Sequence, residues 1–457
     1  MPDMPSEEFR RFGHEVVDWI ADYLADPASR RVLPECAPGD LRRQLPAAAQ
    51  EHGEEMQRIL ADFRDTIVPA CTMWNHPGFH AYFSVSSSGP GILAESLIAA
   101  LNTNGMVWKS SPATTELEQV VVDWLRQWLG LPQCFGLIFD TASQSTLHAL
   151  LGARCKADPE SRERGATANF VVYTSAQAHS SVEKAAMALG FGQRNVRKIA
   201  VDESFRMRPE LLRAAIGEDR ANGWKPLCVV ATVGTTGTSS VDPVPQIADI
   251  CEEHALWLHI DAAYGGFSAL VPECAHLMNG CGRADSLVTN PHKWLFTPQD
   301  CSVLYTKHPE ALRNALSLVP EYLRTGAGDA VNFMDYSIAL GRRFRALKLW
   351  FIMRYFGREG VARILSEQVR MTQALARKIE ADQRFELCAP VPLTLICFRR
   401  NGSDEDNQAL LDRLNASGTA FFSHNIVNGR FMIRWAIGNI HTTEHHLSRL
   451  WEMIQHA

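Results

Sequence analysis

The chain has 457 residues, 46% hydrophobic and 21% charged, with a formal net charge of -6. That length can bury a large core split into lobes, and the acidic balance argues against a nucleic-acid partner. No apolar run approaches the ~20 residues of a membrane span; the acidic amino terminus carries no hydrophobic signal core; and the 11 cysteines lack any CxxC pair, so reduced thiols and a cytoplasmic location are expected.

Residues 6–25 read as an amphipathic helix with Phe12, Val16, Ile20, Tyr23 and Leu24 on one face and Ser6 as its cap. A proline-rich passage and a second helix near 50–67 complete an arm. It must lay its apolar face on the main body or on another subunit. Next comes the aromatic segment Met73–Phe83, which either lines an apolar pocket or plugs a core. Helices are expected over 91–101 and from Thr114/Thr115 through Trp128.

From residue 135 strands alternate with helices. Gly136–Phe139 is a short strand that leads through Asp140-Thr141-Ala142-Ser143 into a helix. Small residues at such a turn either receive an anion or simply start a helix. The apolar runs Phe170–Tyr173, Leu227–Thr232 and Leu256–Ile260 suit a parallel sheet covered on both faces. Each ends in small or polar residues: His179-Ser180-Ser181, Gly234-Thr235-Thr236-Gly237, and Asp261-Ala262-Ala263-Tyr264. Ligands of open α/β sheets bind at those strand ends.

Downstream, Lys293 lies between His292 and Trp294, framed by Pro291 and Pro298. The prolines predict a rigid loop rather than a helix. Desolvation there would lower the amine's pKa and free it to attack carbonyls. Taken alone, the pair is no more specific than a surface lysine. Residues 317–341, with Tyr322, Gly326 and Gly328, read as a mobile lid, and Arg342–Lys348 as a helix with snorkelling basic side chains. Helices over 347–355 and 361–380 and strands at 393–398, 420–422 and 431–437 suggest a small α+β layer. His441, His445 and His446 make a weak metal-clip candidate without a third ligand, so no metal is expected.

These parts fit pyridoxal 5'-phosphate. Lys293 suits its aldehyde, Asp261 its ring nitrogen, Ala142-Ser143 its phosphate and His179 its ring face. The order of phosphate turn, histidine, aspartate and lysine carries more weight than any one of them.

At these motifs the sequence resembles the group II pyridoxal-phosphate decarboxylases, and within them the aromatic-L-amino-acid decarboxylases. The likeness is densest at Phe79–Phe83, Thr141-Ala142-Ser143, His179–Lys184, His259–Tyr264, Asn290–Trp294 and Gly341–Arg345. It implies a fold type I, PLP-dependent transferase-like α/β domain with a mainly parallel seven-stranded sheet. It also implies an amino-terminal arm (1–85) clasping a homodimer, a large domain (86–360) and a small α+β domain (361–457). It makes Lys293 the Schiff-base lysine, Asp261 the ring-nitrogen partner and His179 the stacked histidine. Ala142, Ser143 and His292 become phosphate-side contacts, and Thr236, Ala263 and Asn290 neighbours of the cofactor. Tyr322 becomes the donor that returns a proton to the substrate carbon, and Gly341 a position reaching the partner subunit's site. The implied reaction is loss of carbon dioxide from an aromatic amino acid to give the amine.

The expected pocket wall is Trp74, Tyr82, Phe83, Val85, Met106, His179 and Gly341. Val85 puts a donor to catechol hydroxyls in doubt, while Gly341 leaves room for an indole, so tryptophan or phenylalanine is favoured, with tyrosine and dopa open. The alternatives are an aldehyde synthase, which commonly lacks the loop tyrosine or alters the histidine, and an inactive scaffold, which would require loss of Lys293 or Asp261.

Overall fold

The computed structural model describes residues 3–166, 169–318 and 330–457. Its larger sheet contains β1 (Phe135–Phe139), β2 (Phe170–Ser175), β3 (Val196–Ile199), β4 (Lys225–Thr232), β5 (Trp257–Asp261), β6 (Ser286–Thr289) and β7 (Ser302–Thr306), in the order β1-β7-β6-β5-β4-β2-β3. The seven strands run parallel except β7, which pairs antiparallel with both β1 and β6. This is the mainly parallel α/β sheet the sequence predicts.

The near-continuous apolar runs follow from cover on both faces. Val229 and Ala231 of β4 join one core cluster, whereas Cys228 and Val230 join another that includes Leu150 and Ala153 of the helix Ala142–Ala157. A second sheet, β8 (Phe385–Leu387), β9 (Leu395–Arg400), β10 (Ser423–Val427) and β11 (Arg430–Ala436), is antiparallel in the order β10-β11-β9-β8. It shares a core with the last helix through Leu447, Leu450 and Ile454.

Several local expectations are corrected. The first helix spans Ser6–Ala25, but Pro5 occupies the cap position and no side chain caps it. Of its expected apolar face only Phe12 is buried in the single chain, and Val16 is 40% exposed. Pro291 does not prevent a helix. It occupies the first position of a single turn, Pro291–Trp294, where its missing N–H has no partner to lose. The expected helices at 347–355 and 361–380 are present within Ala346–Ala381, separated by a kink where Gly357 takes φ +64°. Residues 420–422 are not a strand; Phe421 makes an isolated bridge to Phe79. The basic run does not snorkel. Arg342, before the helix, pairs with buried Glu118 at 2.5 Å, and Lys348, 0% exposed, reaches Glu95 and donates to Pro298 O at 2.9 Å. Among the described residues no helix is long and apolar enough to cross a membrane.

Buried histidines pin these layers together while neutral. His80 bonds Ala436 O through Nδ1 (2.9 Å), and His148 bonds Gln144 O through Nδ1 (2.7 Å) while accepting from Ile338 N–H at Nε2 (3.1 Å). Burial lowers His80 from 6.5 to about 3, and His148 and His259 to about 4. A histidine depressed in the fold binds its proton more readily when unfolded, so stability is full above pH ~6.5 and falls as pH drops toward the folded values. Buried Asp242, raised to about 6 by desolvation, acts in the opposite sense from its ordinary value of 3.8 up to that value. Thermal scans from pH 7 to pH 5 should therefore show a falling Tm, with the histidines outweighing Asp242. A Tm that rises on acidification would contradict this assignment.

Candidate active site

At the carboxyl ends of β4, β5 and β6 lies a cavity of about 180 Å3. Its lining gathers nine of the residues expected at the site: Ala142, Ser143, His179, Thr236, Asp261, Ala263, Asn290, His292 and Lys293. The sheet explains the convergence. Asp261 ends β5, Asn290 follows β6, and Ala142-Ser143 open the helix after β1.

Lys293 has its pKa lowered by burial, a shift that the Asp261 carboxylate opposes. Its Nζ stands 5.5 Å from the centre of the Phe83 ring, and Phe83 stacks on Tyr264 at 3.7 Å, so the amine faces an aromatic wall. Asp261 is 6% exposed and accepts from Ala263 N–H at 3.1 Å. His179 accepts at Nδ1 from Ser181 N–H at 3.1 Å, which puts the proton of the neutral ring on Nε2. Burial chiefly lowers its pKa, against the pull of Asp261 and with help from Lys293. His292 is lowered to about 3 by burial and then by Lys293. Its Nδ1 accepts from Cys301 N–H at 3.0 Å, and its Nε2 lies 3.2 Å from the Asn290 amide.

The residues present fit pyridoxal 5'-phosphate. The helix Ala142–Ala157 starts without a side-chain cap, leaving the N–H groups of its first turn for an oxyanion. Thr232 Oγ1 and Asn290 Oδ1, both buried beside the cavity, have no hydrogen-bond partner among the described residues. An amine, a carboxylate and unpartnered polar atoms thus face one small space.

The expected substrate wall is less assembled. Phe83 abuts the cavity, but Trp74 (38% exposed) and Tyr82 (53% exposed) stack on each other at 6.1 Å outside it. Val85 is half-buried, Met106 packs against the pair Val107 and Met334, and Gly341 is exposed beside Asn104. Tyr322, Gly326 and Gly328 lie outside the described residues.

Sequence reasoning did not single out Thr141, Thr232, Gly234 and Tyr264 as site residues, although they line the cavity, nor Arg434. The Arg434 guanidinium, within β11, donates to Thr236 O (2.6 Å), Gly237 O (3.2 Å) and Ser423 Oγ (2.6 Å), and lies 5.7 Å from the Phe83 ring centre. The one available signal was an arginine inside the apolar run 431–437.

Residues 38–401 match the model of the pyridoxal-dependent decarboxylase conserved domain. The chain is 41% identical over 471 residues to an aromatic-L-amino-acid decarboxylase of Bos taurus, covering 99% of this chain and 96% of the relative. It is 38% identical to a phenylacetaldehyde synthase of a Rosa hybrid cultivar, covering 98% and 93%. The crystal structure of Catharanthus roseus tryptophan decarboxylase in complex with L-tryptophan superposes with a TM-score of 0.93 at 37% identity, covering 100% of this chain and 99% of that one.

Arg434→Leu should strand carbonyls of the Thr236 loop. The expected loss is about 1–3 kcal/mol per unsatisfied group in urea unfolding, together with weaker retention of pyridoxal 5'-phosphate on dialysis. Unchanged stability and retention would show that Arg434 does not hold the loop.

Proposed function

Because the chain belongs to the pyridoxal-dependent decarboxylase family, we propose that it removes carbon dioxide from an aromatic L-amino acid to give the arylalkylamine. The observation that carries this reading is the joint placement of Lys293, Asp261 and His179 in one cavity at the strand ends. When bound, pyridoxal 5'-phosphate supplies an aldehyde and an electron sink for the breaking carbon–carboxylate bond.

The protein's own residues do the rest. Lys293 holds the aldehyde, and its burial favours the neutral amine. Asp261 holds the ring nitrogen and stabilises positive charge there. Ala142 and Ser143 would hold the phosphate at the helix start, with His292, Asn290 and Thr236 near it, and His179 would lie against the ring. Phe83 and Tyr264 form an apolar wall that excludes water and suits an aromatic side chain. Tyr322 is the expected proton donor to the substrate carbon.

On the same reading the chain divides into an arm (1–85), a large domain (86–360) and a small domain (361–457). It pairs with a second copy, completing the wall at Trp74, Tyr82 and Gly341. The apolar residues left exposed on the arm and at Leu93 (58%) and Leu101 (59%) support such pairing. A reducing, cytoplasmic setting is supported by 11 cysteines that are all free.

The aldehyde-synthase reading draws on the rose relative and separates by product. Purified protein mixed with tryptophan, phenylalanine, tyrosine or dopa should release amine and carbon dioxide without peroxide. Oxygen uptake with stoichiometric aldehyde, ammonia and peroxide would replace the decarboxylase reading. Lys293→Ala should abolish turnover, and Asp261→Ala should lower kcat by about 100–1000-fold. Tyr322→Phe should divert product toward aldehyde and peroxide.

A further inference from the structure

A second cavity, of about 420 Å3, lies between the amino-terminal segment and the carboxyl-terminal layer and shares no lining residue with the first. Six of its lining side chains are basic: Arg30, Arg31, His76, His445, His446 and Arg449. No aspartate or glutamate lines it. Arg31 donates to Ala416 O at 2.9 Å and pairs with Glu35, itself 74% exposed, at 3.0 Å. Neither Arg30 nor Arg449 pairs with a carboxylate among the described residues.

One wall adds to the positive field, and the floor is a neutral histidine. His76, 4% exposed, accepts at Nδ1 from Gly78 N–H at 2.8 Å. His445 and His446 stand in the first turn of the helix Glu444–His456, whose dipole turns its positive end toward the cavity. His446 is depressed by burial and then by His445 and Arg449; His76 is depressed by burial and then by His446, with Asp26 acting weakly the other way. Three arginines thus line one space from two walls, with the depressed His76 and His446 as neutral imidazoles between them.

We propose that this cavity binds a small, doubly charged phosphate-type anion that bridges the amino-terminal segment to the carboxyl-terminal layer. Donors reach it from Arg30 and Arg31 on one side and from His445, His446 and Arg449 on the other. A tetrahedral oxyanion accepts from several directions at once, whereas a planar carboxylate is matched by a single guanidinium fork. The floor also connects to the aromatic segment. Asn439 Nδ2 donates to Trp74 O and His76 O, each at 3.0 Å, and Thr442 Oγ1 donates to Pro77 O at 2.8 Å.

The test is calorimetric titration of inorganic phosphate into the full-length enzyme in phosphate-free, low-salt solution. The enzyme is first saturated with pyridoxal 5'-phosphate, so that the Ala142-Ser143 turn is closed to the probe. A single saturable site is expected, weakened about tenfold or more by Arg30→Gln and by Arg449→Gln. Circular dichroism confirms that these surface variants are folded. Succinate should bind at least about tenfold more weakly than phosphate. Absence of saturable heat at millimolar phosphate, or undiminished affinity in the double variant, would overturn the site. Equal affinity for succinate would overturn its phosphate character.

Discussion

In the parallel ladder between β5 and β6, Asp261 stands opposite Val288, just before the chain leaves the sheet at Asn290. That register fixes the distance along the sheet between the carboxylate and the turn that carries Lys293. Side chains alternate across a sheet, so a slip of one residue would send Asp261 to the opposite face and bring its neighbour Ile260 to the cavity. The apolar runs on both faces make such a slip costly, because every buried side chain of the strand would change partners. Chemistry at this site therefore rests on a hydrophobic pattern that extends well beyond it.

The turn after β6 is held from several directions. Pro291 sets its first residue, and the wholly buried Trp294 donates from Nε1 to Gln368 Oε1 at 2.7 Å. Cys301 N–H closes the loop onto His292, Lys348 donates to Pro298 O, and Arg345 pairs with Asp300 at 2.8 Å. Arg345 and Lys348 of the basic run thus turn inward and clamp the loop that presents Lys293, while Arg343 stays exposed. Buried ions need such partners; without Glu118, Glu95 and Asp300, the desolvation of Arg342, Lys348 and Arg345 would be uncompensated. A lysine on a loop fixed in this way is pre-oriented, with little entropy left to lose when it is used.

The residues around Lys293 were legible because small and polar residues at strand ends leave a pattern that packing alone does not require. Ala142, Ser143, His179 and Asp261 could be named from the chain, and Asn290 through the family resemblance. The β6 and β7 strands were not named, since Ser286–Thr289 and Ser302–Thr306 are short, although Pro291 and Pro298 mark the loop between them. The basic run was misread because periodicity reports which residues share a face, not whether a partner waits inside. Glu118 lies more than two hundred positions from Arg342 in sequence, and no local pattern links them. The wall residues Trp74, Tyr82 and Gly341 were readable as chemistry but not as geometry. In the single chain they stand at the surface, and their aromatic composition says nothing of what covers them.

The state of His179 bears directly on the proposed reaction. A ring stacked on the cofactor face can be neutral or cationic, and the two have opposite effects. On the proposed reading, a proton held by Asp261 at the cofactor's ring nitrogen would put positive charge into the ring, and an imidazolium beside it would oppose that charge. Burial and the nearby Lys293 lower the histidine's pKa, and the Ser181 N–H occupies Nδ1 as an acceptor. The neutral ring with its proton on Nε2 is the form these contacts select. In the proposed reaction that form would cover the ring face and donate one hydrogen bond without opposing the charge that Asp261 would stabilise. The donor is the Ser181 backbone N–H, so any residue but proline at that position keeps the tautomer, and a backbone group that touches neither amine nor carboxylate governs how the site holds charge.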